Sequence, residues 1–218
     1  MIKLLVDTSG KEIGIGLFKD KQCLYEEYKI AEKTYNKIII PLIDKTIKEG
    51  GVDIKDINLF GATLGPGSFT GIRVGVAVMK ALSQVLNKKF YGIPVPDILA
   101  ENSRTDCEKV VLMDAGRQEF YFARYNNKDK INYELLDTRK LIKKIKKNDV
   151  IIFLENDLYV KEFVLKQFKN NMVITPSHID IKIFNDIIEK NKQETNNFIP
   201  VYIRQPDAEK NLKREKNE

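Results

Sequence analysis

Hydrophobic positions along this chain alternate in short runs and then widen into helical stripes, and they do so twice. Residues 2–6 read as an apolar strand, and Asp7-Thr8-Ser9-Gly10 reads as a turn. Ile13, Ile15 and Leu17 then alternate with Gly14, Gly16 and Phe18 in a second strand that pairs back on the first. A turn at Asp20-Lys21 leads to a third strand over 22–29. Gly14 and Gly16 leave one face of the second strand bare, so a neighbour must pack close there. Over 33–48, Ile38, Ile39, Leu42, Ile43, Thr46 and Ile47 make a wide helical stripe, with Pro41 inside the run and Gly50-Gly51 as its stop.

The next unit is a strand, a tight glycine turn and a helix. Ile57, Leu59, Phe60 and Ala62 suit a buried strand, and Val74, Val78, Ala81, Leu82 and Val85 give a helical stripe. Between them lies Gly65-Pro66-Gly67-Ser68-Phe69-Thr70-Gly71-Ile72-Arg73-Val74-Gly75. Three glycines in seven residues require a sharp bend or a close approach of backbone. Ser68 and Thr70 are both placed to cap the helix, and a capped, bare helix start is also a place for an anion. The run is not a Walker loop, because no Gly-Lys-Ser/Thr follows, and Gly71 stands one position too late for the dinucleotide fingerprint. A structural turn and a phosphate cradle remain equally open on this pattern. Likewise Gly71 and Gly75 let their helix approach its own sheet, or a partner's helix.

A short strand over 90–93 closes the first half, and Asp97 is expected to cap a helix through Ile98. The order then repeats: strand 110–113, turn at Asp114-Ala115-Gly116-Arg117, strands 119–125 and 132–135, helix 138–147, strand 150–154, helix 158–168, strand 172–174 and helix 179–190. Asp7 and Asp114 hold matching places after the first strand of each half. Such repetition points to a duplicated domain and not to a solenoid. The expected division is 1–104, 105–204 and a charged tail over 205–218.

At 218 residues and 43% hydrophobic, the chain can bury about 70% of its unfolded surface. No segment has the ~20 apolar residues of a membrane span, and residues 1–3 run straight into a strand. A cytoplasmic protein without a membrane contact is expected. The net charge of +6 invites a nucleic-acid reading, but Lys, Ile and Asn are abundant throughout, and Lys143, Lys144, Lys146 and Lys147 read as a solvated helix face. Cys23 and Cys107 form no paired motif. The single histidine, His178, removes most metal and triad chemistries, which need a second histidine or one beside a nucleophile.

Two β-β-β-α-β-α halves, each with an aspartate at its first hairpin, resemble the α/β, ribonuclease H-like fold of the actin-like ATPase superfamily. The run from Gly65 to Gly75 is similar to the signature of the TsaB family, formerly YeaZ. Val6-Asp7-Thr8-Ser9, Asp114-Ala115 with Arg117 and Glu119, and Pro200-Val201-Tyr202-Ile203-Arg204 support the match along nearly the whole chain. The resemblance implies a non-catalytic subunit that pairs with TsaD, the enzyme that transfers threonylcarbamoyl to adenosine beside the anticodon of tRNA. The ATPase TsaE would join the assembly, and tRNA would be met only through the complex. No metal and no cofactor of the chain's own are implied, with ATP or ADP a candidate at the shared interface. The expected contact face comprises the first-half helices, through Ile38, Ile39, Leu42, Val74 and Val78. Beside them stand the partner-facing or phosphate-facing residues Gly65, Pro66, Gly67, Ser68, Phe69, Thr70, Gly71, Arg73 and Gly75. Asp7, Asp114 and Arg117 would be a vestigial cleft, or the aspartates simply cap their own turns. Left without its partner, an apolar helix pair is expected to form a homodimer.

The chain departs from the family at Thr34-Tyr35, where many members have His-Ser, and at Val95-Pro96-Asp97-Ile98, where members often carry Ser-Ser-Leu. The alternative is an independent actin-like nucleotide hydrolase or small-molecule kinase, motivated by the two aspartates. A peptidase is disfavoured by the missing histidines, and an RNA-binding module has only the basic charge in its favour.

Overall fold

The computed structural model describes residues 1–31, 35–103, 105, 107–126 and 130–191. The first sheet contains β1 (Ile2–Asp7), β2 (Glu12–Lys19), β3 (Gln22–Ile30), β4 (Leu59–Thr63) and β5 (Lys89–Ile93), in the order β3-β2-β1-β4-β5. The second contains β6 (Lys109–Asp114), β7 (Glu119–Tyr125), β8 (Lys130–Asp137), β9 (Val150–Ile152) and β10 (Val173–Ile174), in the order β10-β9-β6-β7-β8. Taken from the opposite edge, the second order is the first one again. In each sheet an antiparallel hairpin leads, and the later strands join the first strand's other side in parallel. The duplication expected from the pattern is therefore present in the strand pairing, as a duplicated actin-like fold.

Among the described residues, six α-helices complete the layers: α1 (Tyr35–Glu49), α2 (Phe69–Val85), α3 (Val95–Glu101), α4 (Thr138–Lys144), α5 (Leu158–Gln167) and α6 (Ile181–Asn191). α1 and α2 cover the outer face of the first sheet through Tyr35, Ile39, Leu42, Ile43, Ile72, Val76 and Met79. α4 and α5 cover the outer face of the second through Leu141, Val160 and Val164. Between the two sheets lies a shared core built around α3 and α6. Here the halves are laced across one another. α3, from the first half, packs on β6, whereas α6, from the second half, packs on β1 and β2. Lys3, fully buried on β1, pairs with Glu189 of α6 and donates to the Asp20 carbonyl at 2.9 Å. Asn185 donates to the same carbonyl at 3.1 Å, and the Ile181 amide donates to the Tyr28 hydroxyl at 3.1 Å.

Several local expectations shift. Pro41 sits on the exposed side of α1, and the helix runs through it. α4 ends at Lys144 and not at residue 147, where the Ile145 amide closes on the Leu141 carbonyl. Asp97 does not cap α3. Pro94 holds that position, and the Asp97 carboxylate accepts hydrogen bonds from the hydroxyls of Tyr125, at 2.7 Å, and Tyr133. The expected helix start over 33–34, the Pro200–Arg204 match and the tail over 205–218 lie outside the described residues.

Candidate functional site

Four segments meet at the first hairpin turn. Asp7, at the end of β1, accepts from the Ser9 amide at 3.1 Å and from the Thr63 hydroxyl of β4 at 2.6 Å. Burial pushes its carboxyl above the ordinary range, and the bonds from Thr63 and Ser9 oppose that shift. The Ser9 carbonyl in turn accepts from the Ser68 amide at 2.6 Å, and the Gly10 carbonyl accepts from the Tyr35 hydroxyl at 2.5 Å. The hairpin turn thus joins the glycine turn and the start of α1.

The glycines are explained by this contact. A Cβ on Gly67 would lie 2.3 Å from the Ser9 carbonyl oxygen, and one on Gly71 2.1 Å from the Thr8 carbonyl oxygen. A Cβ on Gly75 would lie 2.2 Å from the Thr8 hydroxyl oxygen. Their bare faces are therefore filled by this chain's own hairpin. Gly65, at φ +87°, accepts from the Val95 amide at 2.8 Å, and Pro66 beside it is buried. Ser68 caps α2 by accepting from the Gly71 amide at 3.2 Å, while Thr70 lies exposed within the first turn. With the amides of Ser68, Gly71 and Ile72 all donating inside the chain, the corner has the build of a structural turn.

Outside this corner the surface changes character. Phe69 is 46% exposed, and the Arg73 guanidinium stacks on its ring at 3.5 Å from the centroid. Further along α2, Ala77, Ala81 and Val85 are exposed, with Val74, Val78 and Leu82 half-buried beside them. On α1, Ile40 and Pro41 are exposed and Ile38 half-buried. Ile39 and Leu42 point the other way, into the chain's own core at 0% and 3% exposure. Their part in the stripe is to seat α1 on the sheet, because a helix that shows its apolar face at this spacing must bury most of it against its own sheet.

The second hairpin repeats the first in a more open setting. Asp114 accepts from the Gly116 amide at 2.7 Å, just as Asp7 accepts from Ser9, and its own amide donates to Asp157 at 2.9 Å. Arg117 adopts φ +57° in this turn. Both aspartates therefore cap their own turns. Among the described residues no three His, Cys, Asp or Glu side chains gather to hold a metal. His178 bonds the Ser177 hydroxyl at 2.9 Å and packs on the Tyr28 ring. Thr8, Tyr35 and Thr63 form the site's framework; the sequence showed Thr8 only as part of the turn and Tyr35 only as a departure from the family, and it did not single out Thr63. The one signal available was the polar Asp-Thr-Ser-Gly turn beside a glycine-rich one.

A family model described as "TsaD: tRNA N6-adenosine threonylcarbamoyltransferase" matches residues 28–187. Relatives named tRNA threonylcarbamoyladenosine biosynthesis protein TsaB include one from Bacillus subtilis, 24% identical with 96% of both chains covered. Another, from Buchnera aphidicola of Baizongia pistaciae, is 25% identical, with 92% of this chain and 96% of the relative covered. Among solved structures, YeaZ from Pseudomonas aeruginosa superposes with a TM-score of 0.72 at 17% identity, covering 92% of this chain and 99% of that one. The ethanolamine utilization protein EutJ from Carboxydothermus hydrogenoformans shares the fold more distantly, with a TM-score of 0.54 at 12% identity and 86% and 89% coverage.

Proposed function

The chain belongs to the TsaD family, in its TsaB (YeaZ) group, and from that premise we propose that it is the non-catalytic partner on which TsaD docks. As a TsaB it takes part in the biosynthesis of threonylcarbamoyladenosine in tRNA. In the proposed assembly TsaD carries the transfer, TsaE joins as the ATPase, and the chain supplies a surface. No helix among the described residues is long and apolar enough to cross a membrane.

One observation carries this reading: the open apolar stripe of α2, Val74, Ala77, Val78, Ala81 and Val85, flanked by Ile38 and Ile40 of α1. Contiguous apolar surface of this kind marks an interaction site more often than a solvated one. The stripe borders the Phe69–Arg73 stack, which places an aromatic and a guanidinium, the residue types that dominate interface energetics, at its end. Behind it the glycine corner is held rigid by Ser9, Thr8 and Tyr35. Support for a non-catalytic role comes from the two hairpin aspartates. One oxygen of Asp7 accepts from Ser9 and Thr63, and one oxygen of Asp114 accepts from Gly116, so each is in use as a cap of its own turn. An independent nucleotide hydrolase would need them for phosphate and metal.

Size exclusion with the TsaD of the same organism tests the proposal. The wild-type chain is expected to co-elute with TsaD, and Ala77→Glu with Ala81→Glu to elute apart while melting as the wild type does. Co-elution that survives both charges would defeat the assignment of this face. Alone, the chain is expected to pair through the same stripe, so light scattering should give a dimer that the two glutamates convert to a monomer.

A further inference from the structure

We propose that the lysine-rich end of the second half, opposite the docking face, is a contact for the phosphate backbone of tRNA; this rests on the chain's place in a TsaD complex. The geometry begins with Arg124 at the end of β7. Its guanidinium donates to Glu108 at 2.7 Å, to both Asp149 oxygens at 2.9 Å and to the Lys144 carbonyl at 2.6 Å. Lys146 donates to the same Glu108 at 2.9 Å, and its amide to Asp149 at 2.7 Å. Asn171, after α5, donates to the carbonyls of Lys146 and Asp149 at 2.8 and 2.9 Å. The end of α4, the 145–149 segment and the end of α5 are thereby clamped together at one end of the second sheet.

The clamp uses up the local carboxylates. Glu108 and Asp149 are taken by Arg124 and Lys146, and Glu134 pairs with Lys144. Lys143, Lys147 and Lys169 are all exposed there, and among the described residues no carboxylate pairs with them. Lys143 and Lys144 both lie in the last turn of α4, but a helix C-terminus carries only about half a negative charge, too little to balance both. Three exposed cations without a carboxylate partner on a rigid base are an electrostatic footprint for a polyanion. An acidic protein is the other polyanion that would fit, but RNA is favoured because the process this family serves acts on tRNA. The position also suits an assembly. α4 and α5 cover the outer face of the second sheet and α1 and α2 that of the first, so a TsaD on the α2 stripe leaves this end uncovered.

The test uses the full chain in complex with TsaD and an unmodified tRNA transcript, with Lys143→Gln, Lys147→Gln and Lys169→Gln combined. Binding is measured by fluorescence anisotropy across a salt series, and co-elution with TsaD is checked on the same samples. The triple variant is expected to keep its melting temperature and its TsaD partner. It should bind tRNA about tenfold more weakly at low salt, and the slope of log K against log salt should fall by about 2 to 3. The matching triple Lys→Arg variant should restore both. Unchanged affinity and slope in the glutamine variant would overturn the proposal. So would loss of TsaD co-elution in that variant alone, which would make these lysines part of a protein interface. A wild-type chain that fails to co-elute with TsaD would instead remove the docking assignment, and this one with it.

Discussion

Thr8 and Asp7 show what single residues do in this site. Gly71 and Gly75 lie one turn apart on α2, and both face Thr8, but they meet different atoms of it. Gly71 faces the Thr8 carbonyl and Gly75 its hydroxyl. Gly75→Ala would press a methyl on the hydroxyl, at a cost of about 1–3 kcal/mol. Removing that hydroxyl and its methyl with Thr8→Ala is expected to recover most of the loss. Gly71→Ala meets backbone, so Thr8→Ala should not rescue it. Thermal melts of the four variants check this, and equal rescue of both glycines would show that the hairpin simply shifts. Asp7 gives a pH signature. Its folded carboxyl is raised by burial, so the folded chain holds that proton more tightly than the unfolded one. Its contribution to stability is thus fully present below the unfolded value of about 4 and is lost as pH rises through the folded value. Asparagine can still accept from Ser9 and Thr63 through its carbonyl oxygen, without titrating. The urea midpoint of Asp7→Asn, measured relative to wild type from about pH 4 upward, is expected to improve as pH rises and to level off once the folded carboxyl has ionised. Parallel curves would contradict the burial argument.

At the scale of elements, what could be read from the sequence was what depends on local periodicity. The two hairpins and the repeat of the whole order follow from period-2 and period-3.6 patterning, and the strand pairing bears them out. Ser68 as the α2 cap was legible for the same reason. What depends on distant partners was not. Asp97 sits where a helix cap is expected, yet Pro94 has fixed the start of α3, and the carboxylate instead receives the hydroxyls of Tyr125 and Tyr133, on β7 and β8. Burial and the Asp97 charge push both phenols far above their ordinary range, so they remain donors. Likewise, the apolar run of α3 shows that it is buried nearly all round, but not that it crosses to the other half's sheet. The contact stripe was half legible. Spacing alone groups Ile39 and Leu42 with Ile38, and only the sheet beneath α1 decides which of them is spent on the core.

For the molecule as a whole, the exchange of α3 and α6 makes the two halves depend on each other, and Lys3 is where that dependence is most exposed to test. Its side chain is fully buried on β1 and its charge is met by Glu189 of α6 and the Asp20 carbonyl. Breaking a buried ion pair by removing one partner costs about 3–5 kcal/mol, because the other charge is stranded. Glu189 keeps 23% of its side chain in water, which places Lys3→Ala at the lower end of that range. The loss comes from the stranded charge and not from the pairing itself, so Lys3→Met combined with Glu189→Leu should recover most of it. Because α6 anchors the second half to the first sheet, the weakened chain should still unfold in one transition, seen alike by far-ultraviolet and tyrosine near-ultraviolet circular dichroism in urea. If Lys3→Ala instead splits unfolding into two steps, the halves are separable units and the crossed helices are only laid between them. A single step at lower urea, restored by the apolar pair, means that the scaffold presenting the α2 stripe is built jointly by both halves.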